Sequence, residues 1–403
     1  MQKMLTQIRG SAEPGFECVR DAFAEAQRND EGGAQLCIYR NGKMAVDLWT
    51  GRDTMAGDVP YTAETLTTIM SCTKAMTATV ANRLIERGLI DPEAPVARYW
   101  PEFGEAGKQN VLVWHLLAHA AGLSGFDPVL GIGARDLLDF GRCADALAQM
   151  SPLWEPGTAS AYHAITYGYL TGEVIRRVSG KTVGKLFAEE IATPLGLSLW
   201  IGLPSSEEPR VARQFSRRSD ITEEQMQALL SGMGIDLSNR MVQALLDGTA
   251  KTPEALKVLD SPEGRAAEIP AGNGVGNARS LAKMYAALIG AVDGVRLLSR
   301  ESLDRARTPR NDGLSPPPPF ANFVAFAPPR FGLGYELSRP VMPMLGEGSF
   351  GHAGAGGRLG FADPESGFAV AYLCNNMAWD PNAGPDPRWM PWLNALAEIA
   401  RAN

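Results

Sequence analysis

Residues 65–92 read TLTTIMSCTKAMTATVANRLIERGLIDP, and the segment changes character at Ser71. Up to Met70 its β-branched residues suit a strand or a loop. From Ser71 onward Met76, Val80 and Leu84 recur on one helical face, until Arg87-Gly88 ends the helix and Asp91-Pro92 turns the chain. Ser71 thus stands at a helix start, with Lys74 one turn later on the same face. A serine hydroxyl is a poor nucleophile unless a base lies within hydrogen-bond reach. Burial makes a lysine ammonium easier to deprotonate, and a helix start adds amide donors and a positive dipole end. The Ser-x-x-Lys spacing alone is weak: with 21 serines and 9 lysines in 403 residues it arises by chance about as often as not. It occurs twice here. The second copy, Ser280-Leu281-Ala282-Lys283, follows GNGVGNAR and reads as part of a structural helix with Lys283 toward solvent.

Outward from this segment the chain alternates in character. Phe16, Val19, Phe23 and Ala26 mark an amphipathic helix. LCIYR (36–40) and KMAVDLW (43–49) flank Asn41-Gly42, a strong two-residue hairpin signal. Residues 95–270 are mostly helical in pattern, with VLVWHLLAH (111–119), YGYLTGEVIRRVSG (167–180) and VGKLFAEEIATPLG (183–196) as helices and a charged, peripheral insertion over 205–268. Strand patterns return at FGLGYEL (331–337), GGRLGFAD (356–363) and GFAVAYLCNN (367–376), and a helix closes the chain at about 390–401. This order predicts an α/β (α+β) sheet domain built from residues 1–95 and 270–403, with a helical domain inserted over 96–269. The proline-rich loop LSPPPPFANFVAFAPPR (314–330) carries Phe320, Phe323 and Phe326, candidates for a pocket wall or lid.

Composition bounds the function. With 45% hydrophobic and 21% charged residues the chain is an ordinary globular protein. A net charge of −7 argues against a nucleic-acid or anionic-lipid partner. No apolar run reaches a membrane span, and the first twenty residues lack the apolar core of a secretory signal. The five cysteines are scattered, without CxxC spacing, as expected for reduced thiols in a cytoplasmic protein without a zinc cluster.

Four stretches, in order along the chain, give it its likeness: SCTK (71–74), WHLLAHAAGLSG (114–125), Tyr162-His163-Ala164 within PGTASAYHAITYGYLTGEVI (156–175), and GHAGAGGRLGFADPESG (351–367). Together they resemble the serine β-lactamase and penicillin-binding-protein superfamily, in particular class C β-lactamases and family VIII carboxylesterases. The resemblance implies a β-lactamase-like fold, an antiparallel sheet flanked by helices. It also implies a mechanism with Ser71 as nucleophile, Lys74 and Tyr162 moving the proton, and the amides of Ser71 and Ala355 holding the oxyanion, one at the helix start and one on a strand. A tyrosine beside an ammonium can be held as a phenolate, so Lys74 and Tyr162 are both candidate bases.

Departures from the lactamase pattern bear on the substrate. The amide position of the Tyr-x-Asn motif is Ala164, and the Lys-Thr-Gly motif reads His352-Ala353-Gly354. A histidine is mostly neutral at pH 7 and would grip a β-lactam carboxylate less well than a lysine. The expectation is therefore a carboxylesterase acting on small-molecule esters of small to medium acyl chain, with His352, Gly354 and Ala164 beside the substrate. Alternatives are a β-lactamase or D-amino-acid peptidase, or an acyltransferase using the same acyl-enzyme. No metal and no organic cofactor is expected: His115 and His119 lie four apart but without the glutamate of HExxH or a third ligand. GNGVG (272–276) reads as a turn, the absence of Gly-x-Ser-x-Gly argues against an α/β-hydrolase, and Cys72 is expected to pack away from the site.

Overall fold

The computed structural model describes residues 7–53, 59–216, 223–246, 253–321, 328–378 and 384–402. Among them the strands are, in chain order, β1 (Arg9–Ala12), β2 (Ala34–Arg40), β3 (Lys43–Thr50), β4 (Arg52–Asp53), β5 (Val59–Pro60), β6 (Thr67–Thr68), β7 (Leu199–Trp200), β8 (Val275–Gly276), β9 (Glu336–Leu337), β10 (Phe350–Gly354), β11 (Arg358–Asp363) and β12 (Phe368–Cys374). A seven-stranded antiparallel sheet runs β1-β3-β2-β12-β11-β10-β9. Strands from both ends of the chain build it. The β2–β3 hairpin turns at Asn41 and Gly42, whose φ values of +50° and +78° are those a two-residue primed turn requires.

Strand residues alternate between two apolar layers. Leu36, Ile38, Val370 and Tyr372 face the helices Glu17–Gln27 and Met390–Arg401, against Phe23, Trp392 and Leu396. Cys37, Tyr39, Ala369 and Ala371 face the other way, onto the helix Ala278–Ile289. Covering both faces explains why FAVAYLC is apolar almost throughout. Small residues let the second helix approach closely: a Cβ on Gly360 would lie 2.8 Å from the Tyr285 ring.

A smaller sheet, β6-β8-β7, joins residues before Ser71 to both later parts of the chain. The GNGVG run, expected as a turn, therefore supplies β8; two residues are too short for any periodicity to show. FGLGYEL forms strand only at Glu336–Leu337, because Gly334 at φ +88° bends the chain where a Cβ would strike the Tyr167 hydroxyl and Ala78. Residues 205–268 carry the helices Glu223–Gly232, Arg240–Leu246, Pro253–Leu259 and Pro262–Ala266. Phe320 does not line an open pocket but packs with Leu230, Ile235, Met241 and Val242 of that region. Phe323 and Phe326 lie outside the described residues. No helix among the described residues is long and apolar enough to cross a membrane.

Candidate active site

β6 leads into a single 3₁₀ turn, Met70–Cys72, and then into the helix Thr73–Glu86, so Ser71 sits where strand becomes helix. Met70 has φ +51°, a conformation that costs a non-glycine residue and is kept only when its surroundings enforce it. Here they do. Thr73 Oγ1 donates to the Met70 carbonyl at 2.6 Å and accepts from the Gly274 amide at 2.8 Å, while the Ile69 amide donates to the Gly274 carbonyl.

Lys74 is fully buried, and burial pulls its pKa down to about 7. Its Nζ lies 2.7 Å from the Ala164 carbonyl oxygen, 2.8 Å from that of Ala271 and 3.3 Å from Ser71 Oγ. Carbonyls can only accept, so they take two N–H bonds. In the neutral amine that leaves the lone pair for the remaining neighbour, the Ser71 hydroxyl. The same three oxygens would equally take the three N–H bonds of the ammonium, so it is burial that favours the neutral, proton-accepting form.

Tyr162 joins the same cluster from the loop before the helix Thr166–Ser179. Lys74 Nζ is 4.9 Å from its ring centre, the ring stacks on Phe331 at 6.2 Å, and His119 and His352 flank it at 5.0 and 6.0 Å. Burial pushes its phenol well above the ordinary value, an effect that a hydrogen bond with Ser71 partly offsets. That direction favours the phenol over the phenolate at this half-buried position. His119 holds the loop in place: its Nδ1 accepts from the His163 amide at 3.0 Å and its carbonyl accepts from the Ala161 amide at 3.2 Å. His115, the other half of the i,i+4 pair, uses its Nδ1 to accept from the Leu112 amide.

β10 closes the site from the sheet side. Gly354 presses so near the Ser71 turn that a Cβ there would lie 2.6 Å from the Ile69 carbonyl oxygen. Cys72 is buried but does not pack away from the site as expected: its thiol donates to the His352 carbonyl on β10, 3.2 Å away. Ala355 is not on the strand: the β10–β11 ladder ends at Gly354–Arg358, and Ala355 opens the turn beyond it, exposed. His352 is 3% exposed, its Nδ1 lies 2.6 Å from the Ala353 carbonyl and 3.6 Å from Glu336, and its Nε2 has no hydrogen-bond partner among the described residues. Burial lowers its pKa to about 3, so it is neutral at every working pH.

The structure thus brings Ser71, Lys74, Tyr162, Ala164, His352 and Gly354 together, with Ala355 on the adjoining turn. Ala164 contributes its backbone carbonyl. Ala271, Phe331, His119 and Glu336 join the site without having been singled out as site residues. Ala271 and Ala164 act through main-chain oxygens, which leave no mark in a sequence. The second Ser-x-x-Lys is structural. Ser280 Oγ accepts from the Ser198 amide at 2.9 Å, its own amide is capped by Asn277, and Lys283 is tied to the Leu195 carbonyl and Asp293 rather than free toward solvent.

The family model described as Beta-lactamase matches residues 19–390. The Esterase/beta-lactamase LipL of Mycobacterium tuberculosis is 38% identical over 92% of this chain and 83% of its own length. A crystal structure titled as a family VIII carboxylesterase superposes with a TM-score of 0.81 at 34% identity, covering 98% of this chain and all of that one. A penicillin-binding protein homologue from Caulobacter crescentus gives 0.82 at 34% identity over the same shares. The chain belongs to the Beta-lactamase family and has the fold of the serine β-lactamases and penicillin-binding proteins.

Proposed function

We propose that the protein is a serine hydrolase that cleaves carboxylic esters of small to medium acyl chain through an acyl-enzyme on Ser71. The observation that carries this reading is the position of Lys74: fully buried, with both N–H bonds of its neutral form taken by carbonyls and its lone pair left for Ser71 Oγ at 3.3 Å. Ser71 Oγ attacks the ester carbonyl as Lys74 takes its proton. The amides of Ser71 and Ala355 hold the negative oxygen, an arrangement whose loss costs about 2.7–4 kcal/mol per donor. Tyr162 gives a proton to the departing alkoxide and regains one from the Lys74 ammonium. Water then enters, surrenders its proton by the same groups, and the acid leaves as Ser71 is reprotonated.

The names of the relatives, esterase and carboxylesterase among them, support the ester over the lactam. So does His352, which is neutral where lactamases of the family place a lysine for the β-lactam carboxylate. The test is hydrolysis of p-nitrophenyl acetate, butyrate and octanoate beside the chromogenic cephalosporin nitrocefin. Ester turnover exceeding nitrocefin turnover, with acetate or butyrate preferred to octanoate, is expected; nitrocefin turnover equal to or above that of the esters overturns the substrate assignment.

Tyr162→Phe keeps the ring stack and removes the proton donor. It is expected to lower kcat by about 10²–10⁴-fold, the usual range for a general acid, in steady-state assays with p-nitrophenyl butyrate. A kcat unchanged in that variant removes Tyr162 from the proton path.

A further inference from the structure

The turn after β10, Ala355-Gly356-Gly357, is held at each of its carbonyl oxygens by a buried side chain. Arg358 Nη1 donates to the Ala355 carbonyl at 2.9 Å, Arg388 Nη2 to Gly356 at 2.8 Å, and Trp389 Nε1 to Gly357 at 2.9 Å. A short connection between antiparallel strands needs no such anchorage, since Gly356 and Gly357, at φ +80° and +108°, already allow the reversal. The anchors are also costly. Arg358 is fully buried, and among the described residues its guanidinium makes that one hydrogen bond and leaves Nε and Nη2 without partners; buried guanidinium groups destabilise a fold unless well paired. Arg388 is better supported, by Asp386 at 2.7 Å and by Asp30 at 2.8 Å. The glycines are shaped around the anchors: a Cβ on Gly356 would collide with Arg358 Nη1, and one on Gly357 with Arg388 Nη2 and Asp386. The near end of the turn leans on the nucleophile, through Gly354 against Ile69 and Cys72.

We propose that Arg358, Arg388 and Trp389 are positioning residues that fix the direction of the Ala355 amide toward the oxygen that becomes negative during attack by Ser71. The inference rests on the reading of Ser71 as nucleophile and deepens it. With the three carbonyls tied, the peptide planes of the turn cannot swing. The Ala355 N–H shares its plane with the Gly354 carbonyl, which itself accepts from the Gly357 amide at 3.2 Å. Preorganised donors are effective because they do not reorient during the reaction, and a misplacement of about 1 Å can cost about 10²-fold in rate.

The test uses Trp389→Phe, which removes one donor and keeps the ring, and Arg388→Lys, which keeps the charge and loses the fork. Three quantities are read for each: kcat and KM with p-nitrophenyl butyrate, the inhibition constant of phenylboronic acid, and the melting temperature. The boron of that inhibitor takes Ser71 Oγ as a fourth ligand and places an oxygen where the oxyanion forms. Expected is a kcat lower by about 10- to 100-fold with KM within about twofold, and boronate affinity lower by the same factor, in variants that melt cooperatively. A purely structural role would lower the melting temperature and leave kcat and boronate affinity of the folded protein unchanged, and that result overturns the proposal. Loss of kcat without loss of boronate affinity also overturns it. If instead the wild type turns over no ester, or its turnover survives Ser71→Ala, the nucleophile reading is what has failed.

Discussion

Ser71→Ala is expected to lower ester turnover by about 10³-fold or more, because no acyl-enzyme can form and only the oxyanion donors and substrate binding remain. The variant should fold as the wild type does: Ser71 is half-buried, and Lys74 keeps its two carbonyl partners. Ser280→Ala supplies the contrast. It removes the acceptor for the Ser198 amide, which costs about 1 kcal/mol of stability, and should leave kcat within about twofold. Stopped assays of p-nitrophenyl butyrate on the three proteins, with melting curves, decide the matter. Turnover that survives in Ser71→Ala removes the mechanism and leaves the family likeness as a statement about fold.

The second large effect concerns the base. Lys74 must be neutral to accept the Ser71 proton, and burial lowers its pKa to about 7. The sign follows: below that pH the ammonium dominates and the fraction of competent enzyme falls about tenfold per pH unit, while above it kcat/KM reaches a plateau. A midpoint near 7 would ordinarily suggest histidine. Here burial holds all four histidines lower: His115 and His163 at about 4, His352 at about 3, and His119 well below its ordinary range. With the histidines set aside, an acidic limb with that midpoint that is lost on replacing Lys74 reports Lys74. Lys74→Met should lose about 10³-fold or more in kcat/KM and with it the titration, whereas His352→Gln should keep the midpoint. A profile flat from pH 5 to 9, or a midpoint that disappears in His352→Gln, contradicts the assignment of the base.

Much of this was legible in the sequence, and what was not has physical causes. The Ser71–Lys74 pair is legible as a candidate because the i,i+3 spacing puts both on one helical face and the flanking apolar period marks where the helix begins; Ser280–Lys283 shares the spacing, and the family resemblance carried by the four stretches adds to that local context in singling out Ser71. The Asn41-Gly42 hairpin and the terminal helix carry equally local signals. The strands around 331–337 and 272–276 were misjudged in opposite directions, since both depend on where glycine lets one segment approach another: Gly334 against Tyr167, Gly274 against Thr73. The proposal of Lys74 rather than Tyr162 as the base rests on burial, which a sequence does not display. The carbonyls of Ala164 and Ala271 hold Lys74 Nζ beside Ser71, yet any residue type could have supplied them. Ala355 was placed one residue too early, on the strand rather than in the turn, because GAGG offers no pattern that marks where a ladder ends.

The central claim, a covalent acyl-enzyme on Ser71, is tested most directly by locating the modified residue. The protein would be treated with a fluorophosphonate probe and separately quenched in acid during turnover of p-nitrophenyl butyrate, then digested and its peptides weighed. The account predicts a single phosphonyl or butyryl adduct on the peptide containing Ser71, absent in Ser71→Ala and undiminished in Ser280→Ala. An adduct on Ser280 or another residue, or no adduct of either kind while ester turnover proceeds, would contradict it.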